Sequence, residues 1–342
     1  MLLPDMPMIP VIEFAGIPIA PQLESFHFLV AGENGQDRQA VIAQMVEHLK
    51  RRGDRAVVIC PDDPLVARYA GPGDTMLSLS DPGMPPWSPL AEVSLDSIAM
   101  LVRWLTLSRS PEYDTVTALS GLLRPLVDGA KGTNRALRKT LRKHCDVLSP
   151  SWLDALDPSA GVNSWSLRRW LEEDSGWLWL GAHMPFGHLL PNVWFDVLSH
   201  AAVAPQASAR RRLWLIAGDI SRPASSSAFA HALSVSSGMC VVATMRDLSA
   251  TIHAHGAYQS HALLSQFANR LVLRSSDADM SDWAARTLSE LRPNRSPRMG
   301  LPATRMVTPQ HIRALPDGEG LIRLAGERQI SPVHFGKRRA AG

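Results

Sequence analysis

The sequence predicts an α/β fold: a parallel sheet flanked by helices, with an all-helical insertion between two of its strands. Three observations lead there. Apolar runs alternate with helix-compatible segments along most of the chain. The first two runs are joined by a loop and one helix, between residues 26 and 60. The strand signal then vanishes from residue 98 to 165 and returns afterwards.

Phe26–Ala31 is a short apolar run ended by Gly32. In Gln39–Arg52, residues Val41, Met45, Val46 and Leu49 recur at helical spacing, and Gly53 closes the helix. Ala56–Cys60 is a second run, stopped by Pro61. Strand, loop, helix and strand in that order form a βαβ unit, which implies parallel pairing. Trp177–Leu180, Leu213–Ala217, Met239–Ala243 and Leu271–Leu273 are apolar throughout, as expected of strands covered on both faces. Leu189–Ser199 and Ala257–Ala268 are helix-compatible segments beside them. Ile98–Leu107, Val116–Val127 and Asn134–His144 read as the helices of the insertion. The expected division is therefore a sheet domain from residues 1–97 and 166–342, and an all-α insertion at 98–165. Gly336–Gly342 reads as a frayed tail.

Composition narrows the function classes. Of 342 residues, 45% are hydrophobic and 20% charged, an ordinary globular balance. A net charge of +3 and a pI near 8.9 do not by themselves imply nucleic acid, because the placement of charge decides that. Cys60, Cys145 and Cys240 lie far apart, without metal-ligand or disulfide spacing, which points to free thiols in a reducing compartment. No apolar run reaches the roughly 18 residues of a membrane span. The first residues are broken by Pro4, Pro7, Pro10 and Pro18 and carry no basic leader. A cytoplasmic location is expected.

The loop Gly32-Glu33-Asn34-Gly35-Gln36-Asp37-Arg38-Gln39 stands where a phosphate-binding loop, G-x-x-x-x-G-K-[ST], stands: between a buried strand and a helix N-terminus. Only Gly32 of the four defining positions is kept. Asp37 replaces the second glycine, Arg38 the lysine and Gln39 the hydroxyl residue, while Gly35 adds local flexibility. Taken alone, an ordinary turn between strand and helix is the plainer reading.

The surroundings are more specific. Phe14-Ala15-Gly16-Ile17-Pro18 and His27-Phe28-Leu29-Val30-Ala31-Gly32 precede the loop. Asp74–Asp81 and Trp87-Ser88-Pro89 follow the second strand. Trp165–Trp170, Gly176–Leu180 and Leu189-Leu190-Pro191 lead back from the insertion. Arg211–Asp219, Gly238–Leu248, His255-Gly256, Asn269–Arg274, Asp282-Trp283-Ala284, Val307-Thr308-Pro309 and Leu315-Pro316 complete the series. In this order the chain resembles the motor domain of conjugative type IV secretion coupling proteins. The resemblance implies a RecA-like sheet of the P-loop NTPase type and a role in conjugative DNA transfer. It also implies secretion-system partners, an intact coupling protein among them, and DNA, within a homo- or hetero-oligomer. Family members are inner-membrane hexamers. This chain shows no membrane segment of its own, so a peripheral link through a partner is expected.

The departures bear on mechanism. By the resemblance, the strand Leu213–Ala217 is the Walker B strand, whose closing acidic pair falls on Gly218 and Asp219, and the nucleotide-sensing position falls on Arg246. Phosphoryl transfer rests on charge compensation and metal positioning. The lysine, the hydroxyl and the Walker B aspartate are all replaced. An arginine fork does not substitute for a lysine point charge in a tight loop, and Asp37 is expected to place its carboxylate where phosphate charge would lie. A degenerate, ATPase-deficient subunit acting structurally or in substrate recruitment follows, with no cofactor expected. Two alternatives stay open: a divergent active DNA-dependent ATPase using ATP and magnesium through Arg38 and Asp219, and a stand-alone DNA- or relaxosome-binding module. Asp219 itself reads rather as a helix N-cap or solvated loop acid.

Arg135, Arg138, Lys139, Arg142 and Lys143 share one helical face, opposite Leu137 and Leu141. The stripe fits phosphate contact with DNA, or a solvated helix face. His253 and His255 lack acidic or cysteine partners in sequence and read as surface histidines. The ten tryptophans, among them Trp104, Trp152, Trp165, Trp170 and Trp177, read as core and docking residues.

Overall fold

The computed structural model describes residues 10–59, 64–77, 89–93, 98–106, 113–127, 165–173, 176–180, 212–221, 239–289 and 307–335, with positions 139, 197, 198 and 233. The first element among the described residues is a hairpin, β1 (Ile12–Phe14) and β2 (Ile17–Ile19), paired antiparallel. A nine-stranded sheet follows, in the order β11-β10-β9-β3-β8-β7-β4-β6-β5. Its parallel members are β3 (Phe28–Ala31), β4 (Arg55–Ile59), β5 (Thr75–Leu77), β6 (Leu178–Leu180), β7 (Leu213–Asp219), β8 (Met239–Met245) and β9 (Asn269–Val272). At one edge β10 (Glu319–Arg323) and β11 (Ser331–His334) add antiparallel pairs. The sheet is thus mixed and mostly parallel.

Side chains of the central strands alternate between two cores, as the two-residue period of a strand dictates. Phe28, Val30, Ala56, Val58, Trp214, Ile216 and Val242 face one layer, which is covered by the hairpin and α1 (Gly35–Arg52). Leu29, Ala31, Val57, Leu215, Val241 and Ala243 face the other. There they meet Leu101 of α3 (Ile98–Thr106), Leu119 and Leu123 of α4 (Tyr113–Val127) and Trp170 of α5 (Leu167–Glu172). Leu263 and Leu264 of α7 (Ala257–Ser265) and Met280 of α8 (Ala278–Ser289) close the same layer. Between Leu248 and His255 runs α6, and Pro309–Arg313 forms α9. The expected strands are present, with β7 and β8 continuing two residues beyond the apolar runs. The antiparallel edge, the opening hairpin and β5 were not anticipated.

Two buried polar clusters tie the sheet's margins. At the N-terminal ends of β4 and β7, Arg52 donates to both carboxylate oxygens of Glu24 (2.6 and 2.9 Å) and through Nε to Asp54 (2.9 Å). Arg212 reaches Glu24 at 3.1 Å, and Trp214 Nε1 donates to Asp54 at 2.8 Å. Each buried charge is therefore paired, as burial requires. At the start of α5, Glu92 accepts from the Ser166 hydroxyl (3.2 Å) and from the Leu167 and Arg168 amides (2.6 and 3.1 Å), capping the helix. Arg55 donates to the carbonyls of Trp170 (2.6 Å) and Leu171 (2.9 Å) at the other end of α5.

Asp74 holds the far edge. Its carboxylate accepts from Lys50 Nζ (2.6 Å), Trp179 Nε1 (2.9 Å) and the amides of Gly71 (2.9 Å) and Trp177 (3.1 Å). Burial alone would raise this carboxyl, but the four donors, Lys50 foremost, outweigh it and hold Asp74 below the usual carboxylate range. A depressed folded value contributes stability that is present above the unfolded carboxylate value, about 4. That stability is lost as pH falls through the folded value. Asp74→Asn should therefore lower stability at pH 7 by about 2 kcal/mol and flatten the loss of stability on the acid side. Urea unfolding from pH 7 to pH 3 checks both.

Candidate functional site

The C-terminal ends of β9, β3, β8 and β7 lie side by side, the edge where parallel sheets bind ligands. The chain leaves β3 at Gly32, pressed against the neighbouring strand's exit. A Cβ there would stand 2.6 Å from Leu273 Cβ and 3.1 Å from the Arg274 carbonyl, so only glycine fits. The Gly32 amide donates to Met245 (3.0 Å) and the Glu33 amide to Arg274 (3.1 Å), stitching the loop to both flanking strands.

Helix α1 then begins at Gly35, earlier than the Gln39 start that its apolar spacing suggested. The cause is Asn34, an N-cap whose side chain accepts from the Gln36 (3.0 Å) and Asp37 (3.4 Å) amides. Gly35 is consequently a helical residue and not a point of loop flexibility. Asp37 also departs from expectation. Its carboxylate accepts from the Gly318 amide at 3.1 Å, so it faces the turn before β10 and not the loop mouth. Gln39 sits half-buried in the next positions of α1.

Arg38 folds back over the loop. Its guanidinium donates to the Gly32 carbonyl and stands 3.8 Å from the Asp219 carboxylate. Burial pulls Arg38 below its ordinary value, Asp219 acts against that, and Arg246 adds to it. Gly218 lies at a bulge of β7, where the register with β8 shifts between Ala217 and Asp219. Asp219 accepts from the Ser221 amide (3.0 Å) and hydroxyl (2.5 Å), the geometry of a local turn acid. Arg246, exposed just after β8, pairs with Asp247 at 2.8 Å, and this contact raises the guanidinium's value. Burial would raise the Asp247 carboxyl, but the Ala250 amide and Arg246 together hold it low.

A second set of contacts flanks the loop on the β9 side. Glu33 accepts from the Ser276 hydroxyl (2.6 Å) and amide (2.7 Å), the main reason its carboxyl is depressed. Arg274 lies 3.4 Å from Glu33 and 3.0 Å from Asp317. Sequence reading met Glu33 and Arg274 only as members of the loop and of a motif, without a role, and missed Ser276, Asp317 and Gly318. Asn34 carried a usable signal, a capping residue three positions before an acid.

Of the basic stripe, Lys139 is helical and exposed, while Arg135, Arg138, Arg142 and Lys143 lie outside the described residues. His253 is exposed, whereas His255 is buried with Nε2 2.7 Å from the Ile220 carbonyl. Trp170 and Trp177 are buried in the core, and Trp165 packs against it. The side chains of Trp104 and Trp152 lie outside the described residues.

A family profile described as the type IV secretion-system coupling protein DNA-binding domain matches residues 11–144 and 126–296. The chain belongs to that family. Among solved structures, the unbound bacterial conjugative coupling protein TrwBdeltaN70 superposes with a TM-score of 0.70 at 21% identity. That match covers 95% of this chain and 87% of that one. TrwB in complex with the non-hydrolysable GTP analogue GDPNP gives a TM-score of 0.72 at 21% identity, over 95% and 89% of the two chains. VirB4 of Thermoanaerobacter pseudethanolicus gives 0.55 at 12% identity, over 96% of each. At these identities the likeness shows the fold, which is RecA-like. No curated protein sequence matches. Among the described residues, no helix is long and apolar enough to cross a membrane.

The cap generates a test of the local geometry. Asn34→Ala should cost about 1 kcal/mol in urea unfolding, and Asn34→Asp should recover most of it, because either side chain can accept from the two amides.

Proposed function

We propose that this chain is a coupling-protein subunit of conjugative DNA transfer that does not turn over ATP, and that it supplies structure or recruits substrate beside active subunits. The observation that carries this reading is the closure of the loop by Arg38, which lies on the Gly32 carbonyl and faces Asp219. A phosphate-binding loop presents free backbone amides to its ligand. Here the amides of Gly32, Glu33, Gln36 and Asp37 already donate to protein acceptors. Gln39 offers no hydroxyl and Gly218 no carboxylate for magnesium. The residues present therefore do not fit magnesium–ATP, and no cofactor is assigned.

The family's DNA-binding description and the basic stripe support contact with DNA through phosphate. The expected partners are conjugation or type IV secretion proteins, including an intact coupling protein that would do the pumping. Attachment to the inner membrane would run through that partner, with the chain itself on the cytoplasmic side.

Calorimetric titration with magnesium–ATP should show binding no tighter than millimolar, about −4 kcal/mol. Phosphate release with single-stranded DNA present should stay at background. Micromolar binding with turnover that disappears in Arg38→Ala would replace this reading with a divergent ATPase. In a separate measurement, the triple variant Arg138→Glu, Lys139→Glu, Arg142→Glu should weaken single-stranded DNA binding and lower its salt dependence. Absence of wild-type affinity at low salt would remove DNA from the proposal.

A further inference from the structure

His27 is held in a backbone conformation that a residue with a side chain does not favour. It stands between a 3₁₀ turn (Pro21–Phe26) and β3, at φ 50° and ψ 154°. Left-handed φ with extended ψ is a region that glycine enters readily, and another residue stays there only when its surroundings force it. The other non-glycine residue at positive φ among the described ones is Ala15, in the two-residue turn of the β1–β2 hairpin, where such angles are ordinary.

The force on His27 comes from the start of β9. The Ala268 amide donates to the Phe26 carbonyl (2.9 Å) and the Asn269 amide to the His27 carbonyl (3.1 Å). Asn269 Nδ2 donates to the Leu23 carbonyl at 2.8 Å. Three carbonyls of one short segment are thus claimed by two adjacent residues. The ring itself is poorly served. It is buried, edge to face with Phe267 at 6.3 Å. Its Nε2 reaches only the Leu233 carbonyl, at a long 3.4 Å, and Nδ1 is buried without a partner. Such orphaned polar atoms are costly and rare. Its neighbour Phe26 is 49% exposed. A polar ring lies inside and an apolar one outside, the reverse of what solvation favours.

The charged groups on the elements around the ring are committed elsewhere. Glu24 is held by Arg52 (2.6 Å) and Arg212 (3.1 Å). Arg270 donates to the carbonyls of Phe267 (2.6 Å) and Leu264 (3.2 Å). Burial pulls the imidazole below its ordinary value of 6.5, and the Leu233 carbonyl opposes this without reversing it.

We propose that His27 is a proton-operated catch at the entry of β3. While neutral, the ring stays inside and the elbow stays strained. Once charged, it swings to solvent and φ returns to the negative region. The peptide between Phe26 and His27 then rotates away from Ala268, and Phe26 takes the vacated slot beside Phe267. One movement relieves the strain, the orphaned nitrogen and the exposed phenylalanine together, at the cost of the Ala268 hydrogen bond. A group whose inward value is depressed favours the inward state fully above about pH 6.5, and that preference fades as pH falls below it. The catch is independent of the nucleotide reading, since it works whether or not the Gly32 corner binds ATP.

Backbone amide exchange of the full chain, read residue by residue by NMR, tests it. After correction for the intrinsic pH dependence of exchange, the opening that exposes the Ala268 amide should grow about tenfold per pH unit below about 6.5. The Leu273 amide, which donates to Ala31 at the far end of β3 (2.8 Å), should keep its protection. In His27→Asn, which tolerates positive φ and carries no titrating ring, the slope at Ala268 should vanish. An Ala268 amide indifferent to pH overturns the proposal. So does a parallel loss at Leu273, which would report general unfolding, or an equal slope in His27→Asn. If that variant does not fold, the imidazole titration of wild-type His27 decides, and a midpoint at or above the ordinary value overturns the catch.

Discussion

Backbone pairing of β3 with β8 on one side and β9 on the other, with all four of its residues buried, fixes where the loop after it can go. The exit of a strand held on both edges and both faces has almost no freedom. Gly32 emerges between Met245 and Arg274, and its own amide and that of Glu33 are claimed at once by those neighbours. From that point the chain turns directly into α1. The side chains of Glu33, Asp37 and Arg38 are then distributed sideways, toward β9, the turn before β10, and β7 respectively. The loop thus acts as a junction between strand ends, each of its charged residues anchoring one neighbour.

The arrangement gives physical content to the departures from the phosphate-loop pattern. Asp37 in place of glycine would crowd a loop curled around a ligand, but as the third residue of a helix it is well placed, and acids favour the first turn. Arg38 is long enough to reach back to a carbonyl six residues earlier and to approach Asp219 on another strand. An early helix start, an acid in the first turn and an arginine folded over the entrance are mutually consistent choices. Together they form a corner whose charged side chains are all partnered within the chain.

How much of this was legible follows from how each feature is encoded. Strands covered on both faces announce themselves as unbroken apolar runs, so β3, β4, β6, β7, β8 and β9 could be read directly. Three residues carry no period, and β6 was legible only because Trp177–Leu180 is apolar throughout, whereas β1 and β2 contain Glu13 and Pro18 and β5 opens on Thr75. In β10, alternate burial with Glu319 and Arg323 at its ends hides the pattern further. The collinear motifs pointed to Gly32 and Asp219, which lie at the C-terminal ends of β3 and β7, but not to the direction each side chain takes. That direction depends on contacts between residues far apart in sequence, such as Asp37 with Gly318 or Glu33 with Ser276, which no local pattern encodes.

Glu92 joins two points of the chain about 75 residues apart, accepting from Ser166, Leu167 and Arg168. The segment between them thus departs from and returns to nearly the same spot on the sheet. Leu101, Leu119 and Leu123 from the first part of that segment also pack in the sheet's second core. The entropic penalty of the excursion grows merely with the logarithm of its length, about 0.6 kcal/mol per doubling. Such a tie therefore closes the excursion at a cost that depends only weakly on how much chain lies between its ends.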